Sequence, residues 1–234
     1  MKKIGIMQPY FLPYIGYFQL IGSVDEFVIY DNIKYTKKGW INRNRILCND
    51  TDHLIGLPIK NDSDYLNINQ RQLADNFPSH SKFLLNKFKE CYKKAPHYHD
   101  IYPVLEIIFA CKQNNLFEFI NNSIKILVDF LEIKTKLLVS SSINIDHNSK
   151  SQDKVIAICQ ATNANFYINA IGGVDLYNKQ TFKENGIILN FIKSQDITYK
   201  QYENKFVPWL SIIDILMFNK LSDIKYFLNR YDLI

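Results

Sequence analysis

Apolar and polar residues alternate over short runs at both ends of the chain, whereas the middle repeats apolar residues at helical spacing. Lys3-Ile4-Gly5-Ile6 and residues 24–31 read as strands. Between them Pro9 and Pro13 bracket Tyr10 to Leu12, so a helix can begin only near Tyr14 and run to Ile21. Residues 53–60 read as a strand that Pro58 places near an edge, and 61–80 as a polar loop with short structure. Residues 83–92, 101–111 and 116–133 carry helical periodicity. In the last of these, Phe117, Ile120, Ile124, Leu127, Val128 and Leu131 form one stripe. Residues 136–139, 165–169 and 187–192 are further strands, with helices expected from 149–154 onward and around Phe182. The final helix follows Ser211, a natural N-cap, with Asp214 in its first turn. This alternation predicts a single α/β domain over 1–234, with a mainly helical insert at about 81–134.

At 234 residues, with 47% hydrophobic and 22% charged, the chain has the composition of an ordinary globular domain. Its net charge of +5 comes from scattered lysines, so no basic stripe suggests nucleic acid. No apolar run approaches the ~18 residues of a membrane span, and the chain enters its first strand at once, without the pattern of a signal peptide. Cys48, Cys91, Cys111 and Cys159 match neither a CxxC metal pattern nor a disulfide framework, and reduced, buried thiols in a cytoplasmic protein are expected.

Four stretches carry candidate chemistry. The turn after the first strand, with Gly16 in it, holds Gln8, Tyr10, Tyr14, Tyr17 and Gln19, more hydrogen-bonding groups than a bare connection needs. It reads either as a ligand loop or as a proline-rich turn with packed aromatics. In Gly39-Trp40-Ile41-Asn42-Arg43-Asn44-Arg45 an extended backbone would put Arg43 and Arg45 on one face. There they can fork onto phosphate or carboxylate oxygens beside Trp40 and Asn42; a solvated basic loop is the plainer alternative. Asn169 ends a strand that empties into Gly172-Gly173 and Asp175, where backbone amides can approach a ligand or simply turn. Ser211 and Asp214 begin a core helix whose amino end is also a natural anion seat. His97 and His99 lack supporting ligands at metal spacing, and no metal is expected.

These stretches together resemble the WbqC-like family of bacterial surface-polysaccharide gene clusters. The resemblance rests on residues 7–18, 39–45, Tyr167-Ile168-Asn169 with Gly172-Gly173, and 206–214. It implies a part in making O-antigen or a related lipopolysaccharide glycan. The opening is also similar to adenylate-forming and nucleotidyl-transferring enzymes such as pantothenate synthetase. This implies a Rossmann-like three-layer parallel sheet of the nucleotidyltransferase (HUP) type with a helical middle section. Where those enzymes carry His-x-Gly-His, this chain has Tyr14-Ile15-Gly16-Tyr17, and neutral phenols cannot supply an imidazolium's charge. Arg43, Arg45 or Lys154 would have to supply it.

The expectation that follows is a transferase or ligase attaching an acyl or aminoacyl group, such as glycine, to the amine of a nucleotide-linked sugar. Asp214, Asp175 and Tyr17 are the candidate catalytic groups. ATP with magnesium is the cofactor this chemistry would draw on, and the nucleotide-linked sugar is the expected partner. No nucleic acid or membrane span is expected, and the chain can also pair as a homodimer. The alternative is a non-catalytic sugar-nucleotide-binding or scaffolding protein of the same pathway.

Overall fold

In the computed structural model, which describes residues 1–149, 151–203 and 205–234, β1 (Lys3–Met7) leads through the proline-bracketed turn into α1 (Ile15–Gly22) and β2 (Glu26–Ile29). A hairpin of β3 (Arg43–Cys48) and β4 (Thr51–Gly56) follows, then α2 (Phe77–Tyr92), α3 (Tyr98–Phe109) and α4 (Leu116–Phe130). The chain returns through β5 (Lys136–Val139), α5 (Ser151–Ala161), β6 (Phe166–Ala170), α6 (Lys179–Glu184) and β7 (Ile188–Ser194). It closes with α7 (Ile212–Phe218), α8 (Leu221–Phe227) and β8 (Tyr231–Leu233).

Six strands form one sheet in the order β5-β2-β1-β6-β7-β8, all parallel except the last pair. Numbered by their turn in the chain these strands read 3-2-1-4-5-6, the doubly wound order, whose topological switch falls between β1 and β6. Strand alternation then assigns the two faces. Ile4, Ile6, Val28, Tyr167, Leu189 and Phe191 pack against Val155, Ile158 and Phe182 of α5 and α6. Phe27, Ile29, Ile168 and Ile192 point the other way, toward α1 and the helical section. Gly5 lets α1 sit close, since a Cβ there would lie 3.0 Å from the Phe27 ring and 3.4 Å from Leu20. The layers are thus helix, mostly parallel sheet, helix, as the Rossmann-like expectation required.

Several boundaries shift for local reasons. α2 begins at Phe77, earlier than the periodicity alone suggests, because Pro78 is tolerated in a first helical turn. The basic stretch after Trp40 is not a solvated loop: from Arg43 it is strand, closed by Asn49 and Asp50 at φ 49° and 61°, the left-handed pair a two-residue hairpin turn needs. Lys150, within the predicted start of α5, lies outside the described residues.

The cysteines need a correction. Cys48, at the end of β3, is joined to Cys91, near the end of α2, by a disulfide with Cα atoms 4.8 Å apart. The two are 43 residues apart, and only the docking of the hairpin onto α2 brings them together. Cys111 and Cys159 are the free thiols, and burial pushes Cys159 up to about 12. No helix among the described residues is long and apolar enough to cross a membrane.

The contact under Gly5 gives a direct test. Gly5→Val should cost about 1–3 kcal/mol by forcing α1 away from Phe27, read as a lower urea midpoint with an unchanged slope. An unchanged midpoint would mean that α1 does not press on β1.

Candidate functional site

The turn after β1 is held open by neighbours distant in sequence. Buried backbone carbonyls must be paired. The Asn44 amide on β3 donates to the carbonyls of Phe11 and Leu12, at 3.0 and 2.6 Å. Ser211 donates its hydroxyl to the same Leu12 carbonyl at 2.7 Å and accepts the Ile213 amide, so it caps α7 while tying it to the turn. The Ile212 amide adds a bond to the Pro13 carbonyl, and the Phe11 amide one to Ile41. Leu12 takes a positive φ of 44° to make this possible.

Over the turn lies a cavity of 320 Å³ at the carboxyl ends of β1, β6 and β7, beside the switch point. Tyr10, Tyr14, Tyr17, Trp40 and Trp209 supply its aromatic surface, with Met7, Leu20, Ala170, Ile171 and Ile192 between them. Tyr14 and Trp209 stand with ring centres 5.2 Å apart, and Tyr10 and Tyr17 5.7 Å apart. Trp209 is 55% exposed and sits at φ 61°. A bulky residue held in the left-handed region costs roughly 1–3 kcal/mol and marks functional walls more often than plain turns.

Among the described residues Arg45 is the cavity's one charged residue. Its Nη1 meets Asp52 at 3.1 Å, its Nη2 reaches the Trp209 carbonyl at 3.4 Å, and its buried Nε has no partner. The guanidinium lies 5.6 Å from the Trp40 ring centre, with that of Arg43 at 5.7 Å on the same ring. Gln19 closes the wall by donating to the carbonyls of Phe227 and Arg230 and accepting from the Ser194 hydroxyl. Burial raises the phenol pKa of Tyr10 and Tyr14, with Asp196 adding to the rise at Tyr14 against the Ser194 hydroxyl. Tyr17, which donates to the Gln8 carbonyl at 3.0 Å, is raised well above its usual value by burial and then by Tyr10. All three phenols are neutral donors near pH 7, and no carboxylate, histidine or cysteine joins them in the lining.

Of the residues singled out in the sequence, the cavity gathers Tyr10, Tyr14, Gly16, Tyr17, Trp40 and Arg45. Gln8 contributes its backbone carbonyl to Tyr17. Asn42 is a joint, accepting from the Tyr35 hydroxyl and donating to the Leu57 carbonyl, and Arg43 is spent on the carbonyls of Gly39 and Lys38. Asn169 is one residue out of phase: Ala170 faces the cavity, while Asn169 is buried against Gly173, where a Cβ would come within 2.6 Å of its amide nitrogen. Gly172 and Asp175 are exposed outside the lining, and Ser211 is fully buried in its capping role.

Asp214 lies in the core at 0% exposure, not in the cavity. It accepts from the hydroxyls of Tyr92 at 2.8 Å and Tyr199 at 2.6 Å and from the Gln201 amide at 2.7 Å. Tyr92 in turn accepts the Leu47 amide at 2.9 Å, so the carboxyl ties α7 to α2, β3 and the segment after β7. Burial raises its pKa against these three donors, and both tyrosines are driven up in return. Gln19 and Asn44, part of the candidate stretches, also line the site, and Ser194 and Trp209 complete it without having been assigned a role. An exposed tryptophan after Pro208 was the one available signal.

The model of the WbqC-like protein family matches residues 8–226. The chain is 28% identical over 218 residues to the protein called "Uncharacterized protein Rv1507c" of Mycobacterium tuberculosis (strain ATCC 25618 / H37Rv), covering 92% of this chain and 93% of that one. No solved structure matches the chain.

The buried carboxyl makes a prediction with a definite sign. A folded pKa raised above the unfolded value means the folded chain binds the proton more tightly. Asp214's contribution is therefore present at low pH and lost as pH rises from about 3.9 through the raised folded value. Asp214→Asn should be less stable by about 1–3 kcal/mol near pH 4, with the gap to the parent narrowing as pH rises. Urea denaturation of both proteins from pH 4 to 8 measures it; a constant gap would show that the carboxyl does not titrate in that window.

Proposed function

Because the chain belongs to the WbqC-like protein family, which associates it with polysaccharide biosynthesis, we propose that its aromatic cavity holds a nucleotide-linked amino sugar of that pathway. The reaction we assign is transfer of an acyl or aminoacyl group, such as glycyl, to the sugar's amine. The observation that carries this reading is a cavity with five aromatic side chains and a single arginine at a doubly wound switch point. Aromatic faces suit the CH face of a pyranose and the plane of a base, and a lone guanidinium suits one phosphate of a diphosphate bridge. The neutral hydroxyls of Tyr10, Tyr14 and Ser194 can orient sugar oxygens without adding charge.

The donor set also limits the chemistry. Amide formation expels the leaving group of an activated carboxyl as the amine attacks, and one amine proton must go to a base. Among the described residues the lining offers no carboxylate or imidazole for that proton, so the amine has to enter neutral and pass its proton to the leaving group or to water. ATP would find aromatic surface for its base and Arg45 for one phosphate. No carboxylate of the lining fits a magnesium ion, so the metal would have to ride on the nucleotide's own oxygens. Nor do the described residues include a group of three or more His, Cys, Asp or Glu placed to hold a metal. The same absence of a base favours a second reading, a sugar-nucleotide-binding protein of the pathway that performs no transfer.

Thermal shift with dTDP-amino sugars reads binding, and mass spectrometry after incubation with ATP and glycine reads a new amide. We expect stabilisation by the sugar nucleotide, with Arg45→Ala weakening its affinity about 10- to 100-fold. Amide product supports transfer, and binding without product supports the second reading. If no nucleotide or sugar nucleotide stabilises the chain, both readings fall.

A further inference from the structure

A second cavity, of 300 Å³, lies directly behind the first, and the two share a wall made by Tyr14 and Trp209. Its remaining sides come from the stretch after β7, from Phe206 and Pro208, and from Ile215 on α7. Tyr199 and Phe206 meet edge to face with centres 5.1 Å apart at 78°. The Tyr199 hydroxyl is committed to Asp214, which fixes the ring and leaves its face as wall. Four aromatic rings thus border one small space.

The charge in that space has one sign. Among the described residues Asp196 is the only charged one of the lining. Among the described residues no lysine, arginine or histidine stands within ion-pair distance of it. Aromatic faces carry the negative lobe of the ring quadrupole, so rings and carboxylate attract the same kind of ligand. Asp196 is solvent-exposed at this half-open aromatic surface, and a carboxylate beside aromatic faces, with no cation paired to it among the described residues, suits an organic ammonium group.

We propose that this second cavity is a subsite for the ammonium group of a small amine. Asp196 is its counter-ion, the rings of Tyr14, Tyr199, Phe206 and Trp209 surround the charge, and Ile197 and Leu210 take a short apolar stem. A primary ammonium brings three N–H donors, for which Asp196, Thr198 and Gln195 supply acceptor chemistry in the lining. The assignment stands on this cavity alone. If the transfer reaction proposed above also holds, the subsite seats the free ammonium of the aminoacyl group, one aromatic wall away from the sugar.

The test uses n-butylammonium and 1-butanol, matched in size and differing in charge, titrated into the full chain at pH 7 by calorimetry. The ammonium should bind saturably and the alcohol more weakly. Asp196→Asn should weaken the ammonium about fivefold and leave the alcohol unchanged. Trp209→Leu should weaken the ammonium as well. Equal binding of the two probes, no saturable binding of the ammonium, or an Asp196→Asn protein with unchanged affinity would overturn the proposal. Sugar-nucleotide thermal shifts report on the first cavity, so the two readings fail separately.

Discussion

Two hydrogen bonds from one side-chain amide organise the site. Proline-bracketed turns present backbone carbonyls that no helix or sheet ladder can pair, and burying them unpaired would cost about 1–3 kcal/mol each. Asn44 covers the carbonyls of Phe11 and Leu12 from β3, and Ser211 covers Leu12 again from the start of α7. Because these donors come from two separate parts of the chain, closing the turn also fixes where β3 and α7 stand. Arg45 and Trp209, the neighbours of Asn44 and Ser211, are thereby delivered to the cavity.

Local periodicity made most of the fold readable. The strands of the parallel sheet and the amphipathic helices follow from alternation and 3.6-residue spacing, and Ser211 was legible as a cap because a largely apolar helix with Asp214 in its first turn follows it. The last helix and strand were not legible, since seven-residue α8 and three-residue β8 are too short to show a period. The structure sets some candidate positions apart from the cavity, where parity or distance decides. Asn169 and Ala170 are equally plausible at a strand end, and only the register of β6 against β1 and β7 turns Ala170 to the cavity. The burial of Asp214 in the core was not legible because its partner Tyr92 lies 122 residues away. The pairing of Cys48 with Cys91 was hidden for the same reason.

Tyr14 and Tyr17 line the first cavity as neutral phenols whose pKa burial pushes upward. Among the described residues its one charged side chain is Arg45, paired with Asp52 at 3.1 Å, and the lining holds no histidine or cysteine. Behind the shared wall the sign reverses at Asp196. A dipolar arrangement of this kind orders two unlike ligands by charge while their apolar parts meet the same pair of rings.

The disulfide has a consequence for how the molecule comes apart. Closing a 43-residue loop removes about 4 kcal/mol of chain entropy from the unfolded state in the loop-closure model. That restraint falls on the hairpin bearing Asn44 and Arg45 and on the helix bearing Tyr92. Partial opening should therefore begin at the uncovalent rim, where β8 pairs with β7 over three residues, and reach the arginine wall last. Amide exchange would register this as early loss of protection near Tyr231 and late loss near Leu47.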